Sequence, residues 1–401
     1  MNSSQLLILG NGFDAHCGLR STYKDFFRSA ILDTNGESFG LKQLQAEVSG
    51  FWESLLLEYY KVNEEDDYNW CDIENIIKDT LLDIYFGKNN PDRNINHGIY
   101  SKAEKYLNKL TVGLGLDKLN HIEKFLFDYC VKYILLNSGH TDPPKLLVEH
   151  LLQQLYNLEN RFCKYLKNQI VNPNNKTERN EAYIIKAVNL LANLTGFAHY
   201  KFNRIDDFIT AESKKCLIDV FDNLNDVFIL NFNYTALFDI LEVESPCYYN
   251  NVHGKLCDHR CKQNCDTSNV IFGIDDSLIQ ANGASSALRL FSKTYRKMLS
   301  TDKYSTVLPP NENNPIAIKF YGHSLSEADN SYFQSIFDYY NLYENNKVSL
   351  TFYYSYGYEN YDAVYRLISA YGKSLSNRAQ GKNLIHKLLL ENRLHIQEVK
   401  D

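Results

Sequence analysis

A glycine-rich segment near the start of this 401-residue sequence has residue types suited to holding phosphate. It follows an apolar run over residues 5–9 and consists of Gly10, Asn11, Gly12, Phe13 and Asp14, with Gly18 further on. Glycine permits a tight turn and a close approach of backbone N–H groups to an anion, and a following helix adds partial positive charge. The interval between Gly12 and Gly18 is wider than in the Rossmann fingerprint. The segment predicts either a phosphate-binding turn or a strand-to-helix turn without a ligand.

We expect three further motifs to lie at the ends of strands. Residues 230–235 are LNFNYT, residues 252–254 are VHG, and residues 321–329 are YGHSLSEAD. Ligands of open α/β sheets bind beyond the carboxyl ends of the strands. We therefore expect one cleft to contain all four motifs.

Taken in order, these motifs resemble the AbiH family of bacterial abortive-infection proteins, which act against phage. The matching stretches cover nearly the whole chain: GNGFDAHCGLRSTYKDF from residue 10, NFNYT from residue 231, NVHG from residue 251, IFGID from residue 271 and FYGHSLSEAD from residue 320. The resemblance implies a protein of phage defence.

The AbiH family is in turn similar to the sirtuin-like NAD-binding fold over its α/β part. This second resemblance implies that the chain binds NAD or a related ADP-ribosyl nucleotide. Asn233 and His253 are implied to face the nicotinamide ribose, while the glycine turn and Ser324 hold the dinucleotide. The implied ligand-binding set is Gly10, Asn11, Gly12, Phe13, Asp14, Gly18, Thr22, Tyr234, Gly322, His323, Ser324, Leu325 and Asp329.

The expected reaction is cleavage of the N-glycosidic bond of NAD, which releases nicotinamide. The nicotinamide ring of oxidised NAD is already cationic while it is bonded to the ribose, so the reaction needs a pocket that stabilises charge on the sugar rather than a general acid. His253 is the candidate general base, and Asn233 is the candidate for orienting water or the ribose. Taken singly, Asn233 could instead cap a loop and His253 could be a core histidine.

The acid position of the sirtuin-like motif is occupied here by Thr235, which cannot supply a negative charge. Asp239 or Asp275 could supply it, although each also suits a helix cap. Asp14 stands where sirtuins have a serine, and we expect it to bond a ribose hydroxyl or to cap the first helix.

Two alternatives to an NAD glycohydrolase follow from these residues. A non-catalytic nucleotide sensor or partner-binding toxin on the same fold is favoured by Thr235. A nuclease would use a divalent metal held by acidic side chains, namely Asp14, Asp72, Glu74 and Asp329. Asp72 and Glu74 also suit an N-capped amphipathic helix.

Apolar patterns predict an α/β protein with a mostly parallel sheet and a large all-helical insertion. The resemblance implies that the sheet is Rossmann-like and sirtuin-like. The predicted strands are residues 5–9, 227–230, 270–272, 316–321 and 348–354. Between the first two, apolar residues recur at helical spacing. We assign residues 1–35 and 226–401 to the α/β domain and residues 36–225 to an inserted helical lobe.

The charge balance is acidic, with 42 basic and 49 acidic residues and a formal charge of −7. General nucleic-acid binding is therefore not expected. No apolar run is long enough for a bilayer, so we expect no membrane contact and a cytoplasmic location. The expected partners are a small-molecule nucleotide, a phage trigger or partner defence protein, and a second copy of the chain.

Cys257, Cys261 and Cys265 lie close to His259 in a short polar segment. These are zinc-ligand types, but they lack the usual two-residue spacing between paired cysteines, and we expect free thiols instead. Elemental analysis of protein purified without chelator should therefore find only trace zinc. Zinc at one ion per chain would overturn this expectation and make the segment a metal site.

Overall fold

The computed structural model describes residues 4–29, 50–62, 72–86, 98–109, 114–139, 143–172, 175–196, 227–238, 248–256, 270–275, 286–299, 308–311, 315–355, 357 and 359–399. The chain divides into two compact units. The first comprises Met1–Thr22, Lys164–Val270 and Thr301–Asp401, and the second comprises Tyr23–Cys163 and Ile271–Ser300.

Eight strands lie in the described residues: β1 (Ser4–Leu9), β2 (Val171–Asn172), β3 (Asn175–Arg179), β4 (Val227–Asn231), β5 (Tyr249–Asn251), β6 (Ile316–Tyr321), β7 (Val348–Tyr354) and β8 (Leu394–Glu398). Six of them form one parallel sheet in the order β5-β4-β1-β6-β7-β8. Starting from β1, the chain adds β4 and then β5 on one side of it. It then adds β6, β7 and β8 in turn on the other side. The order is that of dinucleotide-binding folds, and its switch point lies between β1 and β6.

Twelve helices are described: α1 (Gly12–His16), α2 (Tyr23–Phe27), α3 (Phe51–Val62), α4 (Ile73–Tyr85), α5 (Ile99–Leu107), α6 (His121–Leu136), α7 (Pro143–Ile170), α8 (Glu181–Thr195), α9 (Lys293–Leu299), α10 (Asn330–Tyr339), α11 (Tyr361–Ser374) and α12 (Arg378–Leu390). Side chains cap several of them. Asp72 accepts a hydrogen bond from the Asn75 N–H at the start of α4, and Asn120 forms a capping box with Glu123 at the start of α6.

The sheet is covered on both faces, as a parallel sheet requires. Alternate residues of β1 point to opposite faces: Leu6 and Ile8 pack with α10, α11 and α12, whereas Leu7 and Leu9 pack with α1 and α8. All four leucine and isoleucine side chains are buried. Both cores thus depend on the continuous apolar run that predicted β1.

The second unit is organised around a buried ion pair. The guanidinium of Arg296 on α9 makes two hydrogen bonds to the carboxylate of Glu159 on α7, at 2.6 and 2.7 Å. The same two side chains also bind the backbone of Phe272 through its N–H and its C=O. The ring of Phe272 packs against Tyr23 and Phe162. The pair therefore anchors the IFGID segment in this unit.

The structure confirms the fold class, an α/β protein with a parallel Rossmann-like sheet and helical elements. Strands at 5–9, 227–230, 316–321 and 348–354 are confirmed within one or two residues. The strand predicted at 270–272 is wrong, because only Ile274 makes an isolated bridge, to Ser292. The block from 36 to 225 is not entirely helical either, since β2 and β3 form an antiparallel hairpin within it. The predicted domain boundaries, after residues 35 and 225, lie outside the described residues and stay predictions.

Removing the charge of Arg296 should destabilise the protein strongly. Arg296→Met leaves the Glu159 carboxylate buried without its partner, and the expected loss in free energy of unfolding is about 3–5 kcal/mol. Urea unfolding followed by tryptophan fluorescence measures it, since Trp52 is buried in the same unit. The exposed Arg289 provides the matched control, and Arg289→Met should change stability little. Equal losses in both variants would show that the ion pair does not anchor this unit.

Candidate active site at the carboxyl edge of the sheet

The candidate residues lie where the parallel strands end. Leu9 is in register with Asn231 of β4 and Tyr321 of β6, and Asn231 is in register with Asn251 of β5. Each sequence motif therefore begins at the same level, within the first unit. The structure brings together the glycine turn, the loop after β4, the loop after β5 and the loop after β6 at one edge of the sheet.

The glycine turn packs directly against the loop after β6. The Gly12 N–H donates to the Gly322 C=O at 2.7 Å, and the Gly10 N–H donates to the Tyr321 C=O at 2.9 Å. A Cβ atom at Gly12 would lie 2.7 Å from the Gly322 Cα, and one at Gly10 would lie 2.4 Å from the His323 Cα. These glycines are required for the contact between two loops. Their role in holding phosphate stays a prediction, and the Gly12 N–H already has a protein acceptor.

Asp14 is buried and tied to two other elements. Its Oδ2 accepts a hydrogen bond from the Thr235 hydroxyl and its Oδ1 accepts one from the Tyr183 hydroxyl of α8, both at 2.7 Å. Burial raises the pKa of Asp14 to about 6, and the two hydrogen bonds oppose that shift. The expectation that Asp14 caps the first helix is wrong, because both carboxylate oxygens have these long-range donors.

Two asparagine side chains, those of Asn231 and Asn251, support the loop after β4. The Asn231 side chain binds the Thr235 C=O and accepts from the Asn233 N–H, at 2.9 and 3.0 Å. Asn251 of β5 donates to the C=O groups of Asn233 and Thr235 at 2.7 and 3.0 Å. The side chain of Asn233 is different: the residue is 2% exposed, and among the residues that the structure describes neither its Oδ1 nor its Nδ2 has a hydrogen-bond partner. A buried amide with both ends unpaired is costly unless a ligand satisfies it.

Two histidines converge on one carboxylate. The Nε2 atom of His253 lies 3.0 Å from Oδ1 of Asp329, and the Nε2 atom of His323 lies 3.3 Å from Oδ2. All three side chains are at most 7% exposed. The His253 contact is within ion-pair distance but is not aligned as a hydrogen bond. The ring of Phe232 lies edge-on to both imidazoles, with centroids 5.2 and 4.8 Å away.

The orientation of His323 is fixed from both sides of its ring. Its Nδ1 accepts a hydrogen bond from the Leu325 N–H at 2.9 Å, so a neutral ring carries its proton on Nε2, facing Asp329. Leu325 has a φ of 55°, a left-handed conformation that is uncommon for a bulky residue. Such backbone strain clusters at functional sites. Ser324, between these two residues, is exposed.

The other predicted ligand residues are placed as follows. Asn11 is exposed and accepts from the Ser21 hydroxyl at 2.7 Å, while the Phe13 ring lies in the core against Tyr321. Gly18 has a φ of 90°, which explains the glycine as a turn after α1. Thr22 and Tyr234 are half-buried. Phe13 therefore supports the turn through its packing in the core.

The structure does not test the zinc ligands considered from the sequence. Cys257, His259, Cys261 and Cys265 lie outside the described residues, as does Asp239. Of the acids assigned to a nuclease, Asp72 caps α4 and Glu74 pairs with Lys293 at 2.8 Å. Across the described ranges, no group of three or more His, Cys, Asp or Glu side chains could hold a metal ion.

The sequence did not identify two polar contributors at this edge. Tyr183, which binds Asp14, comes from α8, and nothing in the local pattern indicates that contact. Ser355 follows β7 directly and lies 3.0 Å from Nδ1 of His16, and its place after a predicted strand was the available signal.

Fold and site together define a doubly wound α/β protein whose polar residues gather at the switch point of the sheet. The chain matches the family model described as "Bacteriophage abortive infection AbiH" over residues 6–354. It therefore belongs to the AbiH family, which supports a role in abortive-infection defence against phage. No curated protein and no solved structure matches the chain significantly. Among the described helices, none is long and apolar enough to cross a membrane.

The raised pKa of Asp14 makes a prediction about stability. The group favours its protonated form when folded, so its contribution is greatest below pH 4 and is lost as the pH rises through about 6. Asp14→Asn should match the wild-type stability at acid pH and exceed it at pH 7 by up to about 2–3 kcal/mol. Denaturant unfolding of both proteins across this pH range measures the difference. A constant difference between them would contradict the shifted pKa.

Proposed function

We propose that this AbiH protein binds NAD or a related ADP-ribosyl nucleotide and cleaves its N-glycosidic bond, which releases nicotinamide. The single observation that carries the proposal is Asn233. Its amide is buried, has no hydrogen-bond partner at either end within the described part of the chain, and belongs to a motif that resembles a loop of the sirtuin-like fold. An amide offers a donor and an acceptor side by side, which suits a ribose hydroxyl or a bound water. The residues present thus fit the nucleotide.

In the proposed reaction, the bond between C1′ of the ribose and the nicotinamide nitrogen breaks, and its electron pair stays on nicotinamide. A water oxygen forms the new bond to C1′, and the proton released by that water passes to His253. The products are nicotinamide, ADP-ribose and a proton. Since nicotinamide leaves as a neutral molecule, the site needs charge stabilisation at the sugar and a base for water.

The contact with Asp329 supports His253 as that base. A carboxylate facing one imidazole nitrogen favours the ring orientation and stabilises the imidazolium that forms. Asp329 is 5% exposed, so little water screens this interaction. We assign Asp329 as a positioning residue, because it acts through His253.

Thr235 carries no negative charge, but the carboxylate of Asp14, which is hydrogen-bonded to it, can supply one. The Thr235 hydroxyl donates to Asp14, whose pKa of about 6 leaves it mostly ionised at pH 7. A buried carboxylate has a strong effect at short range because its surroundings have a low dielectric constant. This arrangement supports charge stabilisation without an acid at position 235.

One observation favours the alternative, a non-catalytic nucleotide sensor. Both carboxylate oxygens of Asp14 already accept protein hydrogen bonds, from Thr235 and Tyr183. A sensor needs only the unpaired amide of Asn233 and the loops around it. The two functions differ in whether nicotinamide is released.

The test is nicotinamide release from NAD, measured with purified protein and with infected-cell extract supplied as a trigger. His253→Ala and Asn233→Ala should each lower turnover by about a hundredfold or more, because each removes a group that acts on the reacting sugar or water. Calorimetric titration should show nearly unchanged NAD affinity, because most of the nucleotide contacts other residues. His121 is the control histidine, since it is half-exposed and its ring pairs with Glu58 in the second unit.

Three results would separate the possibilities. Binding of NAD without release of nicotinamide by the triggered wild type would favour the sensor. Turnover by both alanine variants at the wild-type rate would contradict the site assignment. Absence of NAD binding as well as turnover would overturn the proposed function.

A further inference from the structure

One histidine at this edge of the sheet has no part in the proposed reaction. The resemblance implies that His323 contacts the nucleotide, but its side chain is only 5% exposed and both of its ring nitrogens face groups of the protein. Nδ1 accepts the hydrogen bond from the Leu325 N–H, and Nε2 lies 3.3 Å from Oδ2 of Asp329. The ring is therefore directed at a carboxylate rather than at a ligand.

The carboxylate of Asp329 has a histidine beside each of its oxygens. Oδ2 faces His323, and Oδ1 lies 3.0 Å from Nε2 of His253, the proposed general base. His253 follows β5, His323 follows β6, and Asp329 directly precedes α10. The last torsion of an aspartate side chain has a broad range. A partner at one oxygen therefore restricts where the other oxygen points.

Two aromatic rings hold the His323 ring in place. Phe232 and Phe333 both lie edge-on to it, with centroids 4.8 and 5.0 Å away. Phe333 belongs to α10, the helix that begins directly after Asp329. Together with the bond from Leu325 to Nδ1, these contacts fix the ring before any ligand binds, as a group that orients another group requires.

We infer that His323 is a positioning residue, which holds Asp329 from the side opposite His253 so that the carboxylate orients the general base. This inference rests on the proposed function and adds a residue to its mechanism. Because Nδ1 already accepts from a backbone N–H, the neutral ring presents its own N–H to Asp329. A neutral partner leaves the negative charge of Asp329 available to the imidazolium that forms on His253, whereas lysine or arginine at this position would neutralise it.

A packing role and a direct ligand contact are the competing explanations. If His323 only fills the space between Phe232 and Phe333, phenylalanine should replace it without loss. If it binds the nucleotide, its removal should weaken NAD affinity. Positioning through Asp329 instead lowers turnover at unchanged affinity, because the carboxylate acts on the base and not on the ligand.

The experiment compares two substitutions that remove different properties of the ring. His323→Phe keeps the edge-on packing and removes the N–H that faces Asp329, whereas His323→Gln loses the ring and keeps an N–H donor. We expect His323→Phe to slow nicotinamide release about tenfold, because the base is less well oriented, and to leave NAD affinity in calorimetric titration unchanged. His323→Gln should recover most of that loss. His386→Phe, at an exposed histidine of α12 in the same unit, is the control and should leave turnover unchanged.

Asp329→Asn tests whether His323 acts through the carboxylate, since asparagine keeps the shape and removes the charge. It should slow turnover at least as much as His323→Phe does. Adding His323→Phe to Asp329→Asn should then cost less than about twofold more. Additive losses would show that His323 does not act through Asp329. His323→Leu, which also lacks the N–H, replaces His323→Phe if that variant does not fold.

Histidine NMR titration of the full chain without NAD gives a result that needs no reaction. The chain has 11 histidines, and His253 is assigned by its absence from the spectrum of His253→Ala. Asp329, Tyr234 and Tyr332 lie beside its ring, with His323 on the far side of the carboxylate, and tyrosines stay protonated where histidine titrates. Since a facing carboxylate favours the imidazolium, His323→Phe should lower the pKa of His253 towards its value in Asp329→Asn. His323→Gln should restore it.

The outcomes separate the explanations. Full turnover in His323→Phe together with loss in His323→Gln would assign the histidine to packing and overturn the inference. Weaker NAD binding by both variants would assign it to the ligand. If the triggered wild type releases no nicotinamide, the proposed function fails and the titration alone decides. An unchanged or raised pKa of His253 in His323→Phe then overturns the positioning role, and a lowered one supports it.

Discussion

The candidate site depends on a contact between two loops through backbone alone. At the switch point, β1 leads to one face of the sheet and β6 leads to the other, so their loops diverge from adjacent strands. Here they meet through the hydrogen bond from Gly12 to Gly322, with the residues so close that a Cβ at either position would lie under 3.0 Å from the backbone opposite. Neither glycine of this contact carries a side chain, so the two loops meet through their backbones.

Two buried carboxylates then hold the loops on either side of that contact. Asp14 accepts from Thr235 and Tyr183, and so joins the glycine turn to the loop after β4 and to α8. Asp329 faces His253 and His323, and so joins the loops after β5 and β6. The two differ in their donors. The hydroxyls beside Asp14 keep their protons, whereas the imidazoles beside Asp329 can gain or lose one, and for this reason the proposed reaction assigns Asp329 to positioning a base.

Sequence patterns predicted the parts of the fold that a single local signal determines. The continuous apolar runs of β1, β4, β6 and β7 fit strands buried on both faces, and the helical periods of α4, α6, α7 and α11 fit one buried face each. The short strand β5 and the strand β8 were missed. β5 has only three residues and β8 includes charged and polar side chains, so neither has a distinctive apolar run. The strand expected at residues 270–272 has such a run, but its burial comes from Glu159, Arg296 and aromatic side chains distant in sequence.

The site, too, has residues that a local sequence signal marks and partners that no local signal marks. His253, Asn233 and His323 could be identified because strand ends and motifs mark them, but their partners come from residues far apart in the chain. The Tyr183 hydroxyl meets Asp14 across 169 residues, and Ser355 meets His16 across 339. Those contacts change the chemistry that the motifs imply. Without Tyr183 and Thr235, Asp14 would be an unpaired acid beside a supposed phosphate turn, which would repel the anion. With them, both carboxylate oxygens of Asp14 accept hydrogen bonds from within the protein.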